Sequence, residues 1–186
     1  MKLCMIGTGY VGLVSGTCFA DIGNQVYCVD KDKNKIDKLN SGISPIYEPG
    51  LDELIKKNYN ANRLIFTTDI KKAINSSDLI FICVGTPTKK GSLKVDLSFV
   101  YKCSKEILKH TKKKKIIITK STVPVGTGAE IEKIIKKKKK LFSVISNPEF
   151  LREGEAIRDF RYPDRIVIGS DNKSEFKTMK KLYSPL

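Results

Sequence analysis

Gly7, Gly9 and Gly12 have the spacing Gly-x-Gly-x-x-Gly, directly after the apolar run Lys2–Ile6 and at the head of a stretch with helical periodicity, Val11–Ile22. Residues so arranged can hold a diphosphate. The first glycine permits a tight turn, the second lets backbone approach a phosphate, and the third lets the helix lie close on the sheet. The N–H groups at the helix start then face the anion with a partial positive charge behind them. Tyr10 and Val11 fall inside this turn and join the candidate contacts. Asp30 ends the next apolar run, Gln25–Val29. A carboxylate there can accept hydrogen bonds from ribose hydroxyls and repel a 2′-phosphate, which favours NAD over NADP. Lys31, Lys33 and Lys35 pull the other way, because cations could neutralise such a phosphate. An ordinary tight turn is the plainer alternative for the glycines, and a helix cap for Asp30.

Ligands of an open parallel sheet sit beyond the carboxyl ends of its strands. Three later apolar runs are followed by Gly85-Thr86-Pro87-Thr88, by Ser121-Thr122-Val123-Pro124-Val125-Gly126-Thr127, and by Asn147-Pro148-Glu149-Phe150-Leu151-Arg152-Glu153-Gly154. Hydroxyls, prolines and the carboxylates Glu149 and Glu153, carried on stiff turns at one edge, suggest a shaped site. Glu149 at a strand end can serve general acid–base chemistry if its pKa is tuned. An acid answering a helix dipole is the alternative.

The elements that must position these residues alternate in type. Strand-like runs lie at Lys2–Ile6, Gln25–Val29, Leu64–Thr67, Leu79–Val84, Lys115–Thr119, Leu141–Ser146 and Arg165–Ile168. Several are nearly continuous in Ile, Val, Leu or Phe, as strands covered on both faces should be. Helical patterns lie between them at Val11–Ile22, Lys33–Asn40, Leu51–Lys57, Ile70–Asn75, Leu97–His110 and Gly128–Lys137, with a further helix starting near Ser174. Asp69 and Asp96 are placed to cap two of them. Ser41–Gly50, with two prolines, reads as a long loop. This β-α alternation predicts an α/β fold, a Rossmann-type doubly wound parallel sheet with helices on both faces.

The composition narrows the class. The 186 residues are 40% hydrophobic and 30% charged, which suits one globular domain with a real core. No apolar run is long enough to span a bilayer, and no signal peptide is evident, so a cytoplasmic protein without membrane contact is expected. Five cysteines without a CxxC pair, and one histidine, predict buried reduced thiols and no metal site. Lys and Arg number 35 against 20 Asp and Glu, a net charge of +15. Nucleic-acid binding is the sharp reading of that excess. The lysine runs 112–115 and 136–140, however, follow helices without interleaved aromatics and with little arginine, which fits solvated helix ends and no specific nucleic-acid partner.

GTGYVG, VGTPT, KSTVPVGT, NPEFLREGEAIRDF and PDRIVIG, in that order, together resemble the UDP-glucose/GDP-mannose dehydrogenase family over essentially the whole chain. Tyr47-Glu48-Pro49-Gly50-Leu51 also looks like the family's segment there, and PDRIVIG favours the UDP-glucose branch over the GDP-mannose branch. The resemblance implies oxidation of a sugar C6 alcohol to a carboxylate with two NAD+ and one water, through a cysteine thiohemiacetal and thioester. It matches Val11, Asp30, Lys35, Thr86, Thr122 and Glu153 to NAD-contacting positions. Glu149 matches the catalytic glutamate that acts through water in thioester hydrolysis, and Thr122 the threonine that helps hold that water. Glu149, Phe150, Leu151 and Arg152 match a strip that contacts the sugar nucleotide. The family's nucleophilic cysteine, with a lysine and an aspartate, lies in segments that residues 1–186 do not contain, as do its central helix, which builds a homodimer, and its UDP-binding domain. The expectation is an NAD-binding fragment that does not turn over alone. A stand-alone NAD-binding module without chemistry is the competing reading.

Overall fold

Alternate residues of β1 (Lys2–Ile6) serve two separate cores: Leu3 and Met5 pack in one, Cys4 and Ile6 in the other, and all four are buried. This is the period of two that a strand covered on both faces requires. β2 (Gln25–Val29), β3 (Leu64–Thr67), β4 (Leu79–Ile82), β5 (Lys115–Thr119) and β6 (Phe142–Ser146) join it in a six-stranded sheet of order β3-β2-β1-β4-β5-β6, parallel throughout. A computed structural model describes residues 1–89 and 91–186, the side chains of Lys137 and Lys139 excepted.

One face of the sheet is covered by α1 (Tyr10–Asp21), α2 (Lys33–Asn40), α3 (Leu51–Asn60), α7 (Ala156–Arg161) and α8 (Lys173–Tyr183). The other is covered by α4 (Ile70–Ser76), α5 (Ser98–His110) and α6 (Thr127–Ile135). The direction of winding reverses between β1 and β4, and such a reversal opens a crevice at the carboxyl ends of the strands. α1 lies beside that crevice and is the deepest helix, buried from Gly12 to Ala20. Its burial runs all round, as a helix wedged between a sheet and other helices requires.

Four expectations need correction. Arg165–Ile168 does not form a seventh strand. Its Ile166 and Val167 are exposed, so the segment buries no face, and only Gly169 bridges Ser146, in antiparallel sense. Asp96 bonds the N–H of Ser98 from one residue before the cap, which is Leu97, whereas Asp69 caps α4 as expected. The helix after Gly126 ends at Ile135, and Lys136–Leu141 continues as a kinked 3-10 stretch. Lys115 is not solvated. It is buried, and its ammonium bonds the carbonyls of Ser77 and, at 3.4 Å, Asn75, the C-terminal end of α4. Lys138 likewise reaches the carbonyls of Leu108 and Thr111 at the end of α5. These cations do meet negative helix ends, but ends distant in sequence.

Candidate active site

The turn from β1 into α1 is built by backbone. Gly7 has φ +103°, a left-handed conformation that a side chain would strain, and an added Cβ would stand 2.5 Å from the carbonyl oxygen of Cys83. At Gly12 an added Cβ would meet the Gly7 carbonyl oxygen at 1.9 Å and the Cys83 Cβ at 3.0 Å. Gly12 therefore closes the helix onto the turn and onto the chain leaving β4. Gly9 differs: a Cβ there would find no atom within 4 Å. That direction is open space in front of a helix start with no side-chain cap and no acidic residue in its first turn. The first helical bond runs from Leu13 N to Gly9 O, at 2.9 Å, so the N–H groups of Tyr10, Val11 and Gly12 have no partner within the helix. An uncapped helix start behind an open glycine fits a diphosphate.

Asp30 lies at the neighbouring strand end, but its carboxylate also serves the turn. Oδ2 accepts from Thr8 N at 2.9 Å, Thr8 Oγ1 at 2.8 Å and Lys35 Nζ at 3.5 Å, while Oδ1 accepts from Asp32 N at 3.1 Å. Burial by itself would raise the Asp30 pKa, but these donors outweigh it and hold the carboxyl below its ordinary value. Asp30 is not a helix cap, since Asp32 caps α2. Of the three nearby lysines, Lys33 pairs with Asp37, Lys35 with Asp30, and Lys31 lies over the Phe99 ring.

The other turns meet at the same rim. Thr86 donates its hydroxyl to the Thr122 carbonyl at 3.0 Å, tying the loop after β4 to the loop after β5. The Thr122 side chain is free to face solvent, while Ser121 beneath it bonds Val84 O and Ile82 O. Beyond β6, the Glu149 carboxylate accepts from Leu151 N at 2.6 Å, which curls the strip back on itself. Leu151 packs partly into the core, and Phe150 is exposed with the Arg165 guanidinium over its ring. Arg152 forms a two-bond pair with Asp159 and also meets Glu155. Glu153 is exposed, close enough to the Tyr10 phenol to act on its ionisation. The strip borders a cleft of about 730 Å³ whose wall also carries Lys120, Asn147, Arg158 and Tyr183.

Two buried charges were not singled out in the sequence. Glu48, on the Ser41–Gly50 loop, accepts from the Tyr10 hydroxyl, from Gly154 N at 2.9 Å and from Ile157 N at 3.1 Å. Burial, and then the Glu48 carboxylate, push the Tyr10 phenol up to about 12, so it remains a donor at neutral pH. The Tyr47-Glu48-Pro49 segment was visible, but nothing local marks a glutamate as buried. Lys120 directly follows β5. Its ammonium donates to the Tyr183 hydroxyl at 3.4 Å, which donates to Asn147 Oδ1 at 2.6 Å, and Asn147 Nδ2 holds Val167 O at 2.8 Å. Burial pushes the Lys120 pKa down against the opposing pull of Cys83 and Glu149.

Among the described residues no group of three or more His, Cys, Asp or Glu could hold a metal ion, and no helix is long and apolar enough to cross a membrane. Cys4, Cys18, Cys28 and Cys83 are buried and Cys103 half-buried.

Comparison with known proteins agrees with this architecture. The pattern of the "UDP-glucose/GDP-mannose dehydrogenase family, NAD binding domain" matches residues 1–186. The UDP-glucose 6-dehydrogenase of Rhizobium meliloti (strain 1021) is 53% identical over all of this chain and 44% of the relative. The UDP-glucose 6-dehydrogenase TuaD of Bacillus subtilis (strain 168) is 51% identical over 99% of this chain and 40% of its own length. A crystal structure of a ternary complex of the GDP-mannose dehydrogenase of Pseudomonas aeruginosa superposes with a TM-score of 0.95 at 37% identity, over 100% of this chain and 44% of that one. The chain thus spans less than half the length of these relatives. Its cofactor is NAD. The chain belongs to the UDP-glucose/GDP-mannose dehydrogenase family, whose NAD-binding domain it matches from its first residue to its last.

Proposed function

We propose that this chain is the cofactor-binding part of a UDP-glucose 6-dehydrogenase, an enzyme that oxidises the C6 alcohol of UDP-glucose to the carboxylate of UDP-glucuronate with two NAD+. The observation that carries the reading is the meeting of four turns at one rim: Gly7–Gly12, Thr86, Thr122 and the Glu149–Glu153 strip. The GDP-mannose branch is the second reading, favoured by the Pseudomonas aeruginosa structure. The 53% and 51% identical relatives favour UDP-glucose.

In this reading the free N–H groups of Tyr10, Val11 and Gly12 hold the diphosphate, and Gly9 gives it room. Asp30, pre-oriented by Thr8 and kept ionised, accepts from the adenosine ribose, with Lys35 beside it. Thr86, Thr122 and Glu153 line the path of the cofactor. NAD+, when bound, supplies the hydride acceptor. Glu149 takes a proton from the hydrolytic water that Thr122 helps to hold, and Phe150, Leu151 and Arg152 face the sugar nucleotide. For Arg152 this requires exchange of an ion-pair partner, because Asp159 occupies its guanidinium now.

The thioester step needs a nucleophilic thiolate. Burial pushes Cys18 and Cys83 up to about 12 and Cys103 up to about 11, and raises Cys4 and Cys28 as well. Thiols so protonated are poor nucleophiles at neutral pH. The 186 residues by themselves should bind NAD without carrying UDP-glucose to the acid. Calorimetric titration with NAD+ and NADP+, alongside an NADH assay with UDP-glucose, tests this. NAD+ binding without steady NADH production is expected. Sustained turnover, or absence of NAD+ binding, contradicts it.

A further inference from the structure

We propose that Glu48 is a positioning residue that couples the cofactor turn to the substrate strip, so that ordering of one orders the other. The proposal rests on the cofactor reading above. Glu48 is 6% exposed and reaches across the chain to three places. Its Oε2 meets the Tyr10 hydroxyl and Gly154 N, and its Oε1 meets Ile157 N. Gly154 N also donates to the Tyr10 hydroxyl at 2.5 Å, which closes a ring of carboxylate, phenol and amide.

Each member belongs to a different part of the site. Tyr10 is the first residue of α1, whose N–H groups face the diphosphate. Gly154 directly follows the Glu149–Glu153 strip, and Ile157 is the second residue of α7. A buried carboxylate without donors would be costly, so the donors from Tyr10, Gly154 and Ile157 together hold Glu48 in place. Charge-assisted bonds are the strong kind, and here they join segments more than 100 residues apart in sequence. A diphosphate that fixes the backbone at Tyr10 therefore restrains Gly154 through the phenol and Glu48. By linkage the restraint acts equally in the other direction.

Hydrogen exchange on the 186-residue chain, with and without saturating NAD+, separates coupling from mere support. In the wild type, NAD+ should slow exchange both at Gly7–Leu13 and at Gly154 and Ile157. In Glu48→Ala, NAD+ should protect the turn alone, with Gly154 and Ile157 exchanging about tenfold faster than in the wild type. Glu48→Gln, which keeps one carbonyl acceptor, should fall between. Tyr10→Phe keeps the Glu48 bonds to Gly154 and Ile157 but removes the phenol link, so NAD+-dependent protection there should be lost without general destabilisation. This last variant carries the test if Glu48→Ala does not fold. Protection of Gly154 and Ile157 that still follows NAD+ to the wild-type extent in Tyr10→Phe overturns the coupling and leaves the cofactor reading intact. Wild-type protection confined to the turn does the same. Absence of any NAD+-dependent protection in the wild type overturns both.

Discussion

The Gly7–Gly12 turn and the Asn147–Gly154 strip stand at the same rim and are held in opposite ways. The shape of the turn is fixed by close backbone approach, with Gly7 and Gly12 pressed against Cys83 and each other, and the Asp30 carboxylate braces it at Thr8. The strip is fixed by side chains: Glu149 on Leu151 N, Arg152 on Asp159, and Glu48 on Gly154 N. A site that must hold an invariant diphosphate can be rigid. A site that must close on a substrate needs contacts that can exchange, and ion pairs at a solvent edge do so readily. The comparison predicts that substitutions in the turn act through shape and those in the strip through charge.

Gly12→Ala should have the largest effect. Its Cβ would lie 1.9 Å from a backbone oxygen that cannot move without opening the turn. A loss of about 3 kcal/mol or more, or failure to fold, is expected in urea unfolding. Stability near wild type would break the claim that the turn is shape-limited. Gly9→Ala sharpens it from the other side. No atom obstructs that Cβ, so stability should stay within about 0.5 kcal/mol of wild type. NAD+ affinity should nevertheless fall at least about tenfold, because the methyl occupies the space a phosphate needs. Calorimetry and thermal melting read the two quantities separately.

Alkaline pH should loosen the turn's foundation. Cys18 of α1 and Cys28 and Cys83 share the core on that face of the sheet, and burial raises the pKa of each. The unfolded chain releases these protons near the ordinary thiol value of 9.0, whereas folded Cys18 and Cys83 hold them to about 12. Their contribution is therefore complete below pH 9 and is lost as pH rises toward 12. Urea midpoints should fall steadily across that window, and a flat profile would count against buried, protonated thiols. Asp30→Asn should narrow the preference for NAD+ over NADP+ by removing the charge that repels a 2′-phosphate, at some cost in order at Thr8. Arg152→Ala should have the smallest effect on NAD+, less than about twofold, since its partners lie within the strip.

Much of this was legible in the sequence because it is local. The six strands of the sheet follow from runs of Ile, Val, Leu and Phe, and the turn from three glycines beside one of those runs. The failures have a common cause. Arg165–Ile168 has the composition of a strand, but whether a run pairs depends on a free edge and a face to bury, which its own residues do not encode. Six-residue α7 is too short to show a helical period. Glu48, Lys115 and Lys120 look like surface charges and are buried, because their partners are contributed by chain 38 or more residues away. A sequence shows which charges a protein has, but only the fold shows which of them are enclosed.

The central claim is that the open, uncapped start of α1 receives the cofactor, with its reactive end lying toward Thr122 and Glu149. Amide chemical shifts recorded during an NAD+ titration of the 186-residue chain test it most directly. The account predicts the largest, saturable changes at Gly7–Leu13, with smaller ones at Thr86, Thr122 and Glu149–Gly154. Shifts confined to the lysine runs at 112–115 and 136–140, weakening with salt and sparing the turn, would contradict it.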